Sequence, residues 1–224
     1  MDERSSNGRL LERSSNALDG SGWPARHRWR AAAARAWQCS DGGVPRLIET
    51  RSRTGTMVSA IIAILATQGI PGLTLRGIAR ESRISTGSLL HHFESRERIL
   101  CVAAHQTGRS LLAEIESGVI WHGVPAFLPS DDDTLRLTRA WLGWCELWRS
   151  EASLVEIVGS VRRQELAMLA EAHEHRLSRP DLDLLIAVVE GLRHAVCAPV
   201  GAMPGSRARE LLAAASAAAL ERSA

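Results

Sequence analysis

Apolar positions first fall into a sustained helical rhythm at Met57. Met57, Ile61, Ile64 and Leu65 recur at helical spacing, Val58 and Ile62 widen the stripe, and Gly69 with Pro71-Gly72 ends it. Thr74 then offers a hydroxyl cap to a short helix over residues 75–81, whose Leu75, Ile78 and Ala79 share one face. Ser82-Arg83-Ile84 breaks that helix. Ser85 caps the next, residues 86–93, in which Leu89 and Phe93 lie i, i+4 and point inward. Thr86, Ser88, Leu90, His91 and His92 occupy its remaining faces. Ser95 opens a fourth helix through Ile99, Leu100, Ala103 and Ala104, with Glu97 near the positive end of its dipole.

Past Gly118 the pattern lengthens. The acidic stretch 130–133 is a strong start signal for a helix to about Arg149, because carboxylates cap orphan amides and complement the dipole. Residues 154–177 form a further long stretch, Arg179-Pro180 interrupts it, and 182–196 and 208–220 supply two more helices. Period-two alternation never persists and no repeat spacing appears, so the predicted fold is all-α. Residues 1–45 differ from everything that follows. They are rich in Ser, Gly, Arg and Ala, and Trp23, Trp29 and Trp37 attach to no apolar period. They read as a disordered N-terminal extension, or as residues upstream of the natural start.

Composition narrows the class without naming a partner. At 224 residues and 45% hydrophobic content the chain can fill a globular core. No run of about 18 apolar residues and no cleavable apolar leader is present, so the expected location is cytoplasmic, with no membrane partner. Cys39, Cys101, Cys145 and Cys197 are scattered and form no CxxC pair, which argues against a zinc site and a disulfide framework. All 27 basic residues are Arg, and Lys and Tyr are absent, a bias that a GC-rich coding sequence explains more simply than function does. A net charge of +2 is too small to point to nucleic acid by itself.

The segment 69–100, GIPGLTLRGIARESRISTGSLLHHFESRERIL, carries the chemistry. A helix entering the major groove needs short polar side chains backed by an apolar face, and Thr86, Gly87 and Ser88 have that shape. The segment resembles the TetR family of bacterial regulators at Gly69, Thr74, Ile78-Ala79, Ile84-Ser85, Gly87-Ser88-Leu89, His92-Phe93 and Arg96-Glu97. The resemblance implies a three-helix helix-turn-helix DNA-binding domain at residues 46–101, followed by a larger helical bundle, 102–224, for effector binding and dimerisation. It implies that Thr74, Ser85, Thr86, Ser88, His91 and His92 face operator DNA, joined by Arg76 and Arg83, with Arg96 on a phosphate. Thr86, Ser88 and His91 are then the expected base readers. Two positions depart from the family. Arg83 stands where glycine is usual, and Leu90, with His91, where tyrosine is common, removing hydroxyls that reach phosphate.

The implied partners are near-palindromic double-stranded operator DNA, a second copy of the chain and a small-molecule effector that dissociates a repressor from DNA. A ligand-independent or architectural DNA-binding protein is the competing reading. Trp141, Trp144 and Trp148 recur at i, i+3 and i+7, with Cys145 beside them, and could line a pocket for an apolar or aromatic effector. Glu171, His173 and His175 read as a solvated helix surface rather than a metal site, because i, i+2 residues diverge on a helix. No GxSxG, P-loop, dinucleotide fingerprint or HExxH occurs, so neither an enzyme nor a cofactor is expected.

Overall fold

A computed structural model describes residues 47–223, with side chains from Arg53 onward. The N-terminal extension lies outside the described residues. The described chain is helical throughout: α1 (Leu47–Thr67), the single turn α2 (Gly69–Gly72), α3 (Leu75–Ser82), α4 (Thr86–Phe93), α5 (Arg96–His122), α6 (Asp132–Leu147), α7 (Val155–Ala172), α8 (Arg179–Cys197) and α9 (Gly205–Arg222). Short 3-10 turns at Val124–Phe127 and Ala152–Leu154 precede α6 and α7. None of these helices is long and apolar enough to cross a membrane.

Local signals placed most of the starts. Thr74, Ser85 and Ser95 accept the amide three residues on, from Gly77, Ser88 and Arg98, at 3.0, 3.1 and 3.0 Å. Each closes one of the four unsatisfied donors that begin a helix. Asp131 does the same for Thr134, whose hydroxyl in turn accepts the Asp131 amide, a reciprocal capping box. The Thr134 backbone amide, then its hydroxyl, hold the Asp131 carboxyl below its usual range.

Three expectations shift. The first helix begins ten residues earlier than its apolar stripe, at Leu47. Arg179-Pro180 does not interrupt a helix but begins one, because Ser178 caps α8 and proline fits a first turn whose amide has no partner anyway. His173 is not solvated: α7 ends there, and its buried ring contacts the Leu169 carbonyl at 2.8 Å and Ser216 Oγ of α9 at 2.5 Å.

The long helix α5 is the spine. It runs unbroken through residue 101, where the sequence suggested a division, and packs against α1, α6 and α7. Where α5, α6 and α7 meet, Gly108 is required, since a Cβ there would fall 2.6 Å from Val161 Cγ2 and 3.1 Å from the Trp141 ring. α6 lies on α1, with Gly143 against the Leu65 side chain, so the first helices are braced directly by the later bundle. At the far end Asp181 joins the starts and ends of the last two helices. Its carboxylate accepts from Ser178 Oγ at 2.6 Å and Arg222 Nη2 at 2.7 Å, and these two contacts lower its pKa in that order.

Candidate nucleic-acid interface

Two short helices and the tight turn between them make the interface. α3 and α4 are anchored by Ile78, Leu89 and Phe93, all buried, on the core built by Ile61, Ile99 and Leu100. Gly77 lets α3 approach α2: a Cβ there would meet the Gly72 carbonyl oxygen at 2.4 Å. Arg83 turns the chain with φ 55°, in the left-handed region. The Arg83 amide donates to Arg80 O at 3.4 Å and the Ile84 amide to Ala79 O at 3.2 Å, the Schellman pattern that usually employs glycine. Holding a non-glycine residue there costs about 1 kcal/mol, offset by the satisfied carbonyls.

The residues singled out in the sequence gather on this unit. Thr74, Arg76, Arg83, Ser85, Gly87, Leu90, His91 and Arg96 are exposed; Thr86, Ser88 and His92 are half-buried. A side chain at Gly87 would meet nothing within 4 Å, so the start of α4 presents a bare backbone. His92 leans edge-on against the Phe93 ring, centroids 4.7 Å apart, while His91 stands clear in solvent. Arg96, at the first turn of α5, is ion-paired: its Nη1 lies 2.6 Å from Glu151 Oε1 in the turn before α7. Nothing local in the sequence signals a partner 55 residues away.

The tryptophan stripe is placed differently from a pocket wall. Trp141 and Trp144 are buried in the core, Cys145 is half-buried, and Trp148 is 39% exposed. A cavity of about 600 Å³ opens instead at the other end of α5, and none of the four lines it. Leu111, Ile115, Phe127 and Leu137 form its apolar wall; Glu114, Thr138 and Arg209 add polar groups, and Trp121 stands at it 76% exposed. The reason is axial: Thr134, Leu137 and Thr138 occupy the first two turns of the same α6 face that carries Trp141 and Trp144 further along, and the cavity reaches only those first turns.

A buried ion pair braces this wall. Arg193 of α8 and Glu165 of α7, side chains 2% and 3% exposed, approach to 2.6 Å. Their contact is an ion pair rather than an aligned hydrogen bond, and Arg193 Nη2 and Trp144 Nε1 remain buried without a partner. Arg193 Nε also donates to the Phe127 carbonyl at 2.9 Å, which fixes a residue of the cavity. A sequence signal existed: Glu165 interrupts the stripe Val161–Leu169 and Arg193 the stripe Val189–Val196, opposite charges on two core-facing helices.

Burial, and secondarily the charge of Glu165, push the Cys145 thiol up to about 12. The thiolate is the reactive form, so iodoacetamide at about pH 8 is expected to leave Cys145 untouched in the folded protein and to alkylate it after denaturation. Peptide mass spectrometry reads the difference; native labelling at the unfolded rate would contradict the packing around α6.

The braced pair of capped helices, with short polar residues outward and apolar residues inward, defines a helix-turn-helix DNA-binding protein. Residues 58–101 match the model of the bacterial regulatory proteins, tetR family. Over that segment the chain carries the DNA-binding module of the tetR family of bacterial regulatory proteins. It is 23% identical over 175 residues to the HTH-type transcriptional regulator PksA of Bacillus subtilis, spanning 70% of this chain and 85% of PksA. A putative TetR-family regulator from Rhodococcus sp. shares its fold at TM-score 0.67 and 19% identity, over 75% of this chain and 99% of that one. The multidrug binding protein EbrR, complexed with malachite green, shares it at TM-score 0.54 and 20% identity, over 73% and 97%.

Proposed function

We propose that this chain is a cytoplasmic, homodimeric repressor that reads a near-palindromic operator through α4 and releases it when an apolar or aromatic small molecule enters the bundle. The observation that carries the reading is the outer face of α4, where Thr86, Gly87, Ser88 and His91 present short polar groups over buried Leu89 and Phe93. Residues 46–101 serve DNA, and 102–224 serve the effector and the second subunit.

Dimerisation uses α8 and α9. Leu184 is 53% exposed, and Ala187, Gly191, Ala213, Ala214, Ala217 and Ala218 continue an outward face of small apolar residues across both helices. A twofold copy would bury that face as a four-helix interface. The effector occupies the 600 Å³ cavity, a volume within the usual range for small-molecule sites. The dye held by EbrR, a relative of the same fold, supports a lipophilic aromatic class.

Binding titrations across a library of operator variants at two salt concentrations test the reading. His91→Ala is expected to relax discrimination by about 1–3 kcal/mol at one position per half-site, since an imidazole on that face meets a base edge. Arg96→Ala is expected to weaken all sequences alike and to lower the salt slope by up to about one per protomer. A chain that selects no sequence from the library, or an Arg96 variant that changes base preference with an unaltered slope, overturns it.

A further inference from the structure

The Arg96–Glu151 pair joins two parts of the chain with different tasks. Arg96 begins α5 directly after its Ser95 cap, beside the recognition helix; Glu151 belongs to the turn between α6 and α7. The Glu151 turn is held in place. The Glu151 amide donates to Leu147 O at 3.1 Å and its carbonyl accepts the Leu154 amide at 3.0 Å, while Cys101 Sγ of α5 contacts Ser153 O at 3.8 Å. Glu151 therefore does not reach for a mobile arginine across open solvent: its side chain is only 25% exposed, against 44% for Arg96.

We infer that Glu151 is an affinity-setting counter-ion, a carboxylate on the bundle that competes with operator phosphate for Arg96 and keeps DNA binding weaker than the helix-turn-helix alone would make it. The inference rests on the reading of Arg96 as a phosphate contact. A phosphate and a carboxylate are both acceptors for the same guanidinium fork, so a phosphate arriving at Arg96 must displace Glu151 or share the site with a second negative charge. Either event subtracts from the gain of contact. It also means that Arg96 releases less than one full phosphate counterion on binding, because its charge is already partly neutralised. Any movement of the turn before α7 that draws Glu151 away would strengthen the contact, which ties the bundle to operator affinity through one ion pair.

The test is a salt titration of operator affinity for the full chain, with Glu151→Gln, Glu151→Ala, Arg96→Ala and the Arg96→Ala/Glu151→Gln double variant, each checked for an unchanged melting curve. Removing the carboxylate is expected to tighten binding about two- to fivefold per protomer, the range of a part-exposed ion pair. The slope of log K against log salt should steepen by the part of about 0.9 per protomer that Arg96→Ala does not remove from the wild type. Both gains should vanish in the Arg96→Ala background. If Glu151→Gln leaves affinity and slope unchanged, or weakens binding because the carboxylate positions Arg96 as a strut, the inference falls. A wild-type chain without sequence-selective DNA binding would instead overturn the proposed function itself, and an Arg96→Ala variant with wild-type slope would remove the phosphate contact on which Glu151 is said to act.

Discussion

Arg193→Met is expected to lower the stability of the folded chain by about 3–5 kcal/mol, the cost of leaving one member of a buried ion pair uncompensated. Glu165 would keep a charge 3% exposed to water with its partner gone, and the Phe127 carbonyl would lose the Arg193 Nε donor. Taking two charges out of water is expensive, and the pair recovers that cost only while both members are present. The double variant Glu165→Leu/Arg193→Met should therefore be much less harmful than either single change, and could match the wild type. Denaturant unfolding at fixed protein concentration reads this, since the apparent stability of any self-associating chain depends on concentration. A single variant losing less than about 1 kcal/mol would mean that water reaches the pair. Phe127 walls the cavity, so Arg193→Met should also loosen effector binding.

Leu89→Ala is the second large effect, and it should fall on DNA binding. Leu89 is fully buried and, with Phe93, is what fastens the eight-residue α4 to the core. Truncating a buried leucine costs about 2–5 kcal/mol, and an isolated helix of two turns has almost no stability of its own. The lost packing therefore appears as local unfolding of α4, and apparent operator affinity falls by the fraction of molecules that keep it docked. Operator binding should weaken at least about tenfold, while circular dichroism retains most of the helical signal of α5 to α9. A Leu89→Ala protein within twofold of wild-type affinity would show that α4 is held by something other than its apolar face.

The sequence by itself determined the helix class and the helix-turn-helix. Thr74, Ser85, Ser95 and Asp131 close hydrogen bonds with amides three residues on, inside one turn, so no distant part of the chain was needed to predict them. The Leu89 and Phe93 spacing likewise named the buried side of α4, while the left-handed backbone of Arg83 was signalled only by its standing where the family usually has glycine. The tertiary structure decided what depends on where helices meet one another along their lengths. It made core of the later turns of α6, at Trp141 and Trp144, and gave the cavity to the earlier turns of the same face, at Leu137 and Thr138. It set Arg96 against Glu151, Arg193 against Glu165, and His173 against Ser216, contacts between residues 55, 28 and 43 positions apart. Such meetings follow from packing angles accumulated over several helices and loops, and no periodicity within one helix encodes them.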